Sequence, residues 1–412
     1  MSSPEKISIP QKLVLGLQHV LAMFGATVLV PMLTGLDPGV AILSAGIGTL
    51  VFHSVTKGIV PVFLGSSFAF ISAISLTLSQ FGIGAVKTGI MATGLVYIAM
   101  AIIIKHVGVE KVKSFFPPIV IGPIIMVIGL RLSPTAINML KVDGAINPNY
   151  ALVASIVVIT VMIVSIFAKG FFKMVPILIA VIIGYAVAFL MNMVDVSAVA
   201  EASWFGFSDN ALRSIITLPD FSSAGLTAAI ALAPIALVVF IEHIGDITTN
   251  GAVVGKNFFE DPGIHKTLMG DGLATMTAGL IGGPANTTYG ENTGVLAVTK
   301  IYDPSIIRIA AIFAILLSIC EKFTAMVQLI PSAVMGGVSI ILFGMISAVG
   351  VRTLVEEQLD FKNSRNLLIA AVIFVIGIGV TDVPITETIT VSGLTLAALF
   401  GVILNKVLPE NI

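Results

Sequence analysis

The sequence predicts an all-α polytopic membrane protein. We expect 14 transmembrane segments in two inverted seven-span repeats, with short antiparallel strands interrupting spans 3 and 10. Three observations predict this: a composition that stays apolar along the whole chain, a succession of apolar runs divided by Gly, Pro and charge, and sequence landmarks that recur about halfway along. Of 412 residues, 57% are hydrophobic and 10% charged, where a soluble domain carries about 25% charged residues. The mean hydropathy is +1.09. Such a chain cannot cover itself with a water-facing surface, which excludes a soluble enzyme, a nucleic-acid binder and a disordered chain. The net charge of -1 creates no field for a polyanionic partner. The single cysteine, Cys320, excludes an internal disulfide framework, a zinc cluster and a CxxC pair. It reads as a small buried apolar residue. The start, MSSPEKISIPQK, lacks a cleavable signal pattern, so the first apolar stretch is predicted to be a true span.

A span needs roughly 20 apolar residues. The breaks then delimit spans near 12–33, 38–56, 59–80, 84–105, 117–137, 150–168 and 173–194. A polar stretch over 195–223 follows, carrying Glu201, Trp204, Asp209 and Asp220. The second set lies near 225–252, 266–282, 284–300, 306–328, 332–350, 366–381 and 386–408. With the N-terminus inside, the Lys and Arg residues sort to the inner side, Lys6 and Lys113 among them. Lys87, Arg131, Lys141, Arg213 and Lys322 are the exceptions. That bias predicts cytoplasmic termini and an even number of spans.

The landmarks recur in order. Leu17-Gln18-His19-Val20 matches Ile241-Glu242-His243-Ile244, at an offset of 224. Ser66-Ser67-Phe68-Ala69 matches Thr287-Thr288-Tyr289-Gly290, at 221, and each segment follows a proline, Pro61 or Pro284. Pro117 with Gly122 matches Pro331 with Gly336, at 214. Seven spans per unit force the second unit to enter the membrane the other way up, as in many secondary transporters. Hydroxylated, small and β-branched residues around Ser67 and Thr288 at mid-membrane depth are poor helix. Extended backbone is tolerated there only when buried or lining a cavity. Two such pieces are predicted to pair, leaving a half-helix N-terminus aimed at a ligand.

Most acidic residues fall in loops, but Glu242 and Asp246 interrupt ALAPIALVVFIEHIGDITT and Glu291 lies in TTYGENTG. A carboxylate at the centre of a span costs about 2.5–3.5 kcal/mol on insertion scales, so such residues usually serve a site. Glu242 and Asp246 share one helix face at i and i+4. Two like charges there cannot both ionise cheaply, so the pair suits a proton. Glu291 directly follows the second strand and faces the same centre. Asp271, near the start of its span, reads as structural or interfacial. Glu321-Lys322 reads as structural at an outer helix end. His243 reads as a satisfied core histidine, and His19, beside Gln18, as support for the central polar network. His53, His106 and His265 lie near cytoplasmic ends, and the histidines lack metal-ligand spacing.

At these residues the chain resembles the nucleobase–ascorbate transporter (nucleobase:cation symporter-2) family, in particular its bacterial uracil permease type. The likeness spans nearly the whole sequence. The family signature appears as Glu291-Asn292-Thr293-Gly294 followed by Thr299-Lys300, within NTTYGEN. QHVLAMFGATVLVP, GSSFAFIS and PSAVMGGVSIILFG extend it. The resemblance implies a core domain over 1–115 (spans 1–4) and 224–328 (spans 8–11). It implies a gate domain over 116–195 (spans 5–7) and 329–412 (spans 12–14), with 196–223 as an extracellular loop. It implies a proton-coupled uracil importer of the cytoplasmic membrane, dimeric through the gate domains, with no cofactor, metal or nucleic acid. Glu242 and Glu291 would hold the N–H groups of the pyrimidine. Backbone N–H groups near Phe68 and Gly290 would meet its carbonyls, and Ala26, Tyr289 and Phe343 would cover the ring. Ser67, Thr288, Asn292, His19 and Gln18 would form the supporting polar network, and Glu242, Asp246 and Glu291 would couple the proton. Two positions depart from the pattern. Asp246 stands where uracil permeases have a histidine, and Phe343 where a tyrosine is common.

Uracil offers two N–H donors and two carbonyl acceptors on a flat ring, which carboxylates, backbone amides and aromatics answer. The other readings are purine (xanthine or urate) symport, an anion exchanger or channel on the same fold, and a membrane enzyme. An amide at the position of Glu291 would favour purines. An anion would favour a basic centre, and no nucleophile–base pair or metal cluster supports an enzyme.

Overall fold

A computed structural model describes residues 7–108, 110–111, 114–194, 196–384 and 390–409. Lys6, Lys113 and Asp195 lie outside the described residues. In chain order the helices of the first half are α1 (Ile9–Thr34), α2 (Pro38–Val55), α3 (Ile71–Val107), α4 (Pro118–Asn138), α5 (Pro148–Phe167) and α6 (Pro176–Leu190). The polar segment holds two short helices, Ser197–Glu201 and Asp209–Ile216. Then come α7 (Ser223–Leu232), α8 (Ala236–Val254), α9 (Ile264–Ile281), α10 (Gly290–Thr299), α11 (Pro304–Ser318) and α12 (Glu321–Gln328). The last are α13 (Ser332–Glu356), α14 (Ser364–Gly379) and α15 (Gly393–Val407). Among the described residues, 7 helical segments are long and apolar enough to cross a membrane, and α6, α11, α14 and α15 are shorter apolar helices.

The helix boundaries follow local chemistry. Pro38, Pro118, Pro148, Pro176 and Pro304 open five helices, where the missing N–H costs nothing. Asp37 and Asp303 cap α2 and α11, accepting from Val40 N at 3.1 Å and Ser305 N at 2.9 Å. Glycines in the left-handed region end α8 (Gly255, φ 74°) and α9 (Gly282, φ 89°).

Several predicted spans are shaped differently. Span 59–80 is an extended entry followed by the helical run Ile71–Val107 (α3), in which Gly82 (φ 80°, ψ -179°) is non-helical and separates two helical segments within the predicted gap before span 84–105. Only glycine takes that conformation without strain. Span 306–328 is interrupted at Ile319 and Cys320, between α11 and α12. Cys320 is therefore half-buried at a break and not a packed core residue. Span 173–194 begins with a separate turn, Phe171–Met174, because Val175 leaves helical geometry before Pro176.

Small residues bring antiparallel helices together. A Cβ on Gly94 of α3 would lie 2.6 Å from Gly272 O of α9, and one on Gly350 of α13 would lie 2.5 Å from Gly122 O of α4. In lipid, where hydrophobicity does not join helices, such close backbone packing does.

At the centre, β1 (Leu64–Ser66) pairs antiparallel with β2 (Asn286–Thr288) in the register Leu64–Thr288, Gly65–Thr287, Ser66–Asn286. Ser67 N to Ala285 O (2.9 Å) and Tyr289 N to Phe63 O (3.0 Å) extend the ladder at both ends. Leu64 and Asn286, which open the strands, are 222 positions apart. Two further hairpins, Lys141–Val142 with Ala145–Ile146 and Asp382–Pro384 with Thr390–Ser392, lie away from the centre.

Charged side chains group at two ends of the bundle. Lys12 bridges Asp303 at 2.6 Å, and Lys406 Nζ donates to Ser114 Oγ at 2.9 Å. Arg365 donates to Asn405 Oδ1 at 2.8 Å. At the other end, Lys322 Nζ donates to Val199 O (2.8 Å) and Glu321 Oε2 accepts from Ser203 N (3.0 Å). Both tie the polar segment down, so the Glu321-Lys322 pair is structural as expected. Lys87, sorted by sequence with the outer loop charges, is fully buried and donates to Ile215 O (3.1 Å) and Thr217 O (2.6 Å). Its long stem lets it reach the carbonyl end of the Asp209–Ile216 helix from within α3.

Candidate functional site

The strand pair forces two helices to begin near the middle of the bundle. One is α3, entered through a single 3-10 turn, Phe68–Phe70, and the other is α10. The first N–H groups of a helix have no partner within it, so both starts present donors to the same space. Glu291 sits in the first turn of α10, with its carboxylate against its own backbone amide. A Cβ on Gly290 would meet nothing nearer than Asp246 Oδ1 at 3.8 Å. The start of α10 is thus open on the side facing α8.

From α8, Asp246 Oδ2 accepts from Thr288 Oγ1 at 2.8 Å. Asp246 is therefore anchored to the end of β2. Glu242 lies one turn before it on the same face, close enough to Glu291 and Asp271 for the charges to act on one another. Glu242, Asp246 and Glu291 are half-buried, while His243 on the next face is 1% exposed. Exposure continues along Asp246 and Thr249 of α8 and along Gly290, Gly294 and Ala297 of α10. This stripe leads from the carboxylates toward the end of the bundle that holds the Lys12–Asp303 bridge.

The opposite side is closed by rings. Phe68 meets Phe343 of α13 edge-on, with centroids 5.8 Å apart and planes at 83°. Ala26 is buried in the same apolar cluster. Tyr289 is a strut. Its hydroxyl donates to Ser66 O at 3.0 Å and lies 3.4 Å from Thr27 Oγ1, and its ring covers Gly65, where a Cβ would lie 2.3 Å from ring carbons.

The expected polar network assembles in part. Asn292 Nδ2 lies 3.1 Å from His19 Nδ1 and 2.9 Å from His19 O. This joins α1 to α10. Thr288 is used by Asp246. Gln18 turns away, its Nε2 lying 3.1 Å from Met174 Sδ. The Ser67 hydroxyl is buried with no hydrogen-bond partner among the described residues. Asn250, not singled out from sequence, joins α8 to α10 through Thr293 Oγ1 at 3.0 Å. His53 is buried and bound to Val62 O at 3.0 Å, holding the entry to β1. Asp271 is 1% exposed, with Oδ2 2.8 Å from His243 Nδ1, so it lies in the deep interior of the bundle. An acid between two glycines in an apolar run was its only sequence signal. Two cavities, of about 680 Å³ beside Arg365 and Lys406 and about 470 Å³ beside Asp37 and Arg213, lie away from the carboxylates. No cluster of metal-ligand type occurs among the described residues.

Apolar helices, paired half-helices and interior carboxylates around an accessible stripe define a multi-pass membrane transporter, a permease in architecture. The chain belongs to the Permease family Xan_ur_permease, whose model matches residues 10–386. It is 44% identical over 405 residues to the uracil permease of Bacillus subtilis (strain 168), covering 96% of this chain and 92% of that protein. It is 42% identical over 408 residues to the uracil permease of Bacillus caldolyticus (98% and 94% covered). Against the uracil permease of Escherichia coli (strain K12) the identity is 39% (97% and 91% covered). The fold is similar to the transmembrane domain of the cyanobacterial bicarbonate transporter BicA (TM-score 0.65, 16% identity, 96% of each chain covered). It is also similar to the murine anion transporter Slc26a9 in its inward-facing state (TM-score 0.68, 13% identity, 98% and 68% covered).

Proposed function

We propose that this chain imports uracil together with a proton across the cytoplasmic membrane by alternating access. One observation carries the reading: Glu242, Asp246 and Glu291 converge where two helices begin at a central strand pair. That arrangement combines carboxylate acceptors with free backbone donors, the complement of a ring bearing two N–H and two C=O groups. Identity of 42% and 44% to uracil permeases over nearly the full length supports uracil as the cargo.

In this reading Glu242 and Glu291 bind the ring N–H groups, and the amides near Phe68 and Gly290 bind its carbonyls. Ala26, Phe343 and the Tyr289 strut shape the apolar wall. A proton taken by the Glu242–Asp246 pair, coupled to Glu291, reduces the repulsion among the acids and stabilises the loaded site. The chain is organised as 14 spans in two inverted seven-span repeats. The core comprises 1–115 and 224–328, the gate comprises 116–195 and 329–412, and 196–223 is an extracellular loop. Both termini face the cytoplasm, so the accessible stripe opens inward. Two copies associate through their gate domains.

Purine symport and anion exchange are the competing readings. Glu291 in place of an amide favours a pyrimidine, and three central acids oppose an anion, although the fold neighbours named above are anion transporters. Uptake into proteoliposomes, measured over a nucleobase panel with and without a pH gradient, decides among them. We expect gradient-driven uracil accumulation that excess xanthine does not inhibit. Xanthine inhibition, or accumulation without a gradient, overturns the assignment.

A further inference from the structure

Behind Glu242, one residue along α8, lies a second titratable group that the transport scheme leaves unused. His243 Nε2 lies 2.9 Å from Thr267 Oγ1, and Nδ1 lies 2.8 Å from Asp271 Oδ2. The Thr267 hydroxyl has one proton, and it lies 3.0 Å from Ile264 O, which can only accept. Oγ1 therefore donates to Ile264 and accepts from His243, so Nε2 carries a hydrogen. Across the other contact, a bare Nδ1 lone pair facing a carboxylate lone pair at 2.8 Å would repel. A proton stands between them, either on Nδ1 beside an ionised Asp271 or on Oδ2 beside a neutral imidazole. Both forms have zero net charge, and both hold one proton more than a neutral histidine beside a carboxylate. Both side chains are about 1–2% exposed, where an unbalanced charge is costly.

We propose that His243 and Asp271 form a proton-holding site of their own, sharing one proton between Nδ1 and Oδ2. We further propose that this pair acts through Glu242 to set the pH range of transport. The second part rests on the proposed uracil–proton reading; the first does not. His243 and Asp271 are positioning residues, since neither reaches the accessible stripe. The titratable groups around the pair are Glu242 and Asp246 on α8 itself, Tyr97 on α3, and Glu291 on α10, which acts on it through Glu242. Tyr97 packs against Gly272, and its buried hydroxyl has no hydrogen-bond partner among the described residues. From α2, Phe52 packs on Gly270 and His53 is turned to Val62. When alkali removes the shared proton, a net negative charge appears beside Glu242. That charge helps the Glu242–Asp246 pair keep its own proton to higher pH.

Nitrogen-15 spectra of the histidine-labelled full chain, assigned with His243→Gln, locate the proton, together with infrared spectra of wild type and Asp271→Asn. At neutral pH we expect either both His243 nitrogens protonated or a protonated Asp271 carboxyl. A bare Nδ1 beside an ionised Asp271 overturns the proton site. For the coupling, Asp271→Asn keeps a hydrogen bond to Nδ1 but cannot release a proton. The alkaline limb of its uracil-uptake profile should move toward acid by about one pH unit. An unmoved limb overturns the coupling. If the variants fail to fold, the wild-type spectra still decide the proton site. If wild type takes up no uracil, the transport reading fails while the spectra still decide the pair.

Discussion

At the residue scale, the proposed site rests on acids that each have a distinct structural reason for being interior. Asp246 is bonded to Thr288, Glu291 stands at a helix start, and Glu242 occupies the face between them. Removing a charged acceptor that pairs with a buried N–H costs about 1.5–3 kcal/mol. Glu242→Gln and Glu291→Ala should therefore each lower labelled-uracil uptake by about tenfold or more, whereas Asp246→Asn should retain uracil exchange and lose the response to a pH gradient. Wild-type, gradient-dependent uptake in all three would remove these residues from the site. Gly65 tests the strand crossing itself, because a methyl there would overlap the Tyr289 ring. Gly65→Ala should cost about 1–3 kcal/mol, read as a lowered melting temperature. The three acids were legible in the sequence because a carboxylate in an apolar run is conspicuous. Asp271 was underestimated and Gln18 overestimated because spacing along one helix does not say which neighbour a side chain will face. The Asp271–His243 bond is made by the packing of α9 on α8, and the Gln18–Met174 contact by the turn before α6.

At the scale of elements, periodic apolar runs flanked by proline and Asx caps made most helices legible. Breaks inside a run were harder to read. The non-helical Gly82 falls in the predicted gap between spans 59–80 and 84–105, whereas the break at Ile319 and Cys320 inside span 306–328 carries no glycine or proline to mark it. The strand pair was legible as an oddity, hydroxyl and β-branched residues at membrane depth, but its register was not. Backbone ladders rather than side-chain types set the register. Two predictions belong here. Burial alone would raise the Asp303 carboxyl, but hydrogen bonds from Lys12 and Ser305 outweigh it and hold the group below its ordinary 3.8. Its contribution is therefore complete above the ordinary aspartate range and is lost as the pH falls through the lowered value. Thermal melting of Asp303→Asn should fall short of wild type at neutral pH by about 0–1 kcal/mol, since both partners are partly exposed, and the gap should close in acid. The second concerns Lys87, whose ammonium holds the end of the Asp209–Ile216 helix. Lys87→Met should loosen that helix, so that trypsin cuts at exposed Arg213 about fivefold faster. An unchanged digestion rate would show that the segment is held by its other contacts alone.

At the scale of the molecule, one antiparallel strand pair crosses between the two halves at the centre of the bundle, and both helices that leave it start there. Such a crossing concentrates unpaired backbone donors where the interior acids lie. This explains how a chain with 10% charged residues can present a polar site in lipid. On one side the Phe68–Phe343 contact seals the site, and on the other a stripe of small and polar residues stays accessible. The proposed alternating-access scheme requires that this asymmetry reverse, with α13 moving relative to the strand pair. The most direct measurement is labelled-uracil uptake by proteoliposomes containing the full chain, with the lumen more alkaline than the outside. The account predicts accumulation above the external concentration, its collapse when a protonophore is added, and its absence in Glu291→Ala. Equal uptake with and without the gradient, or undiminished accumulation in Glu291→Ala, would contradict it.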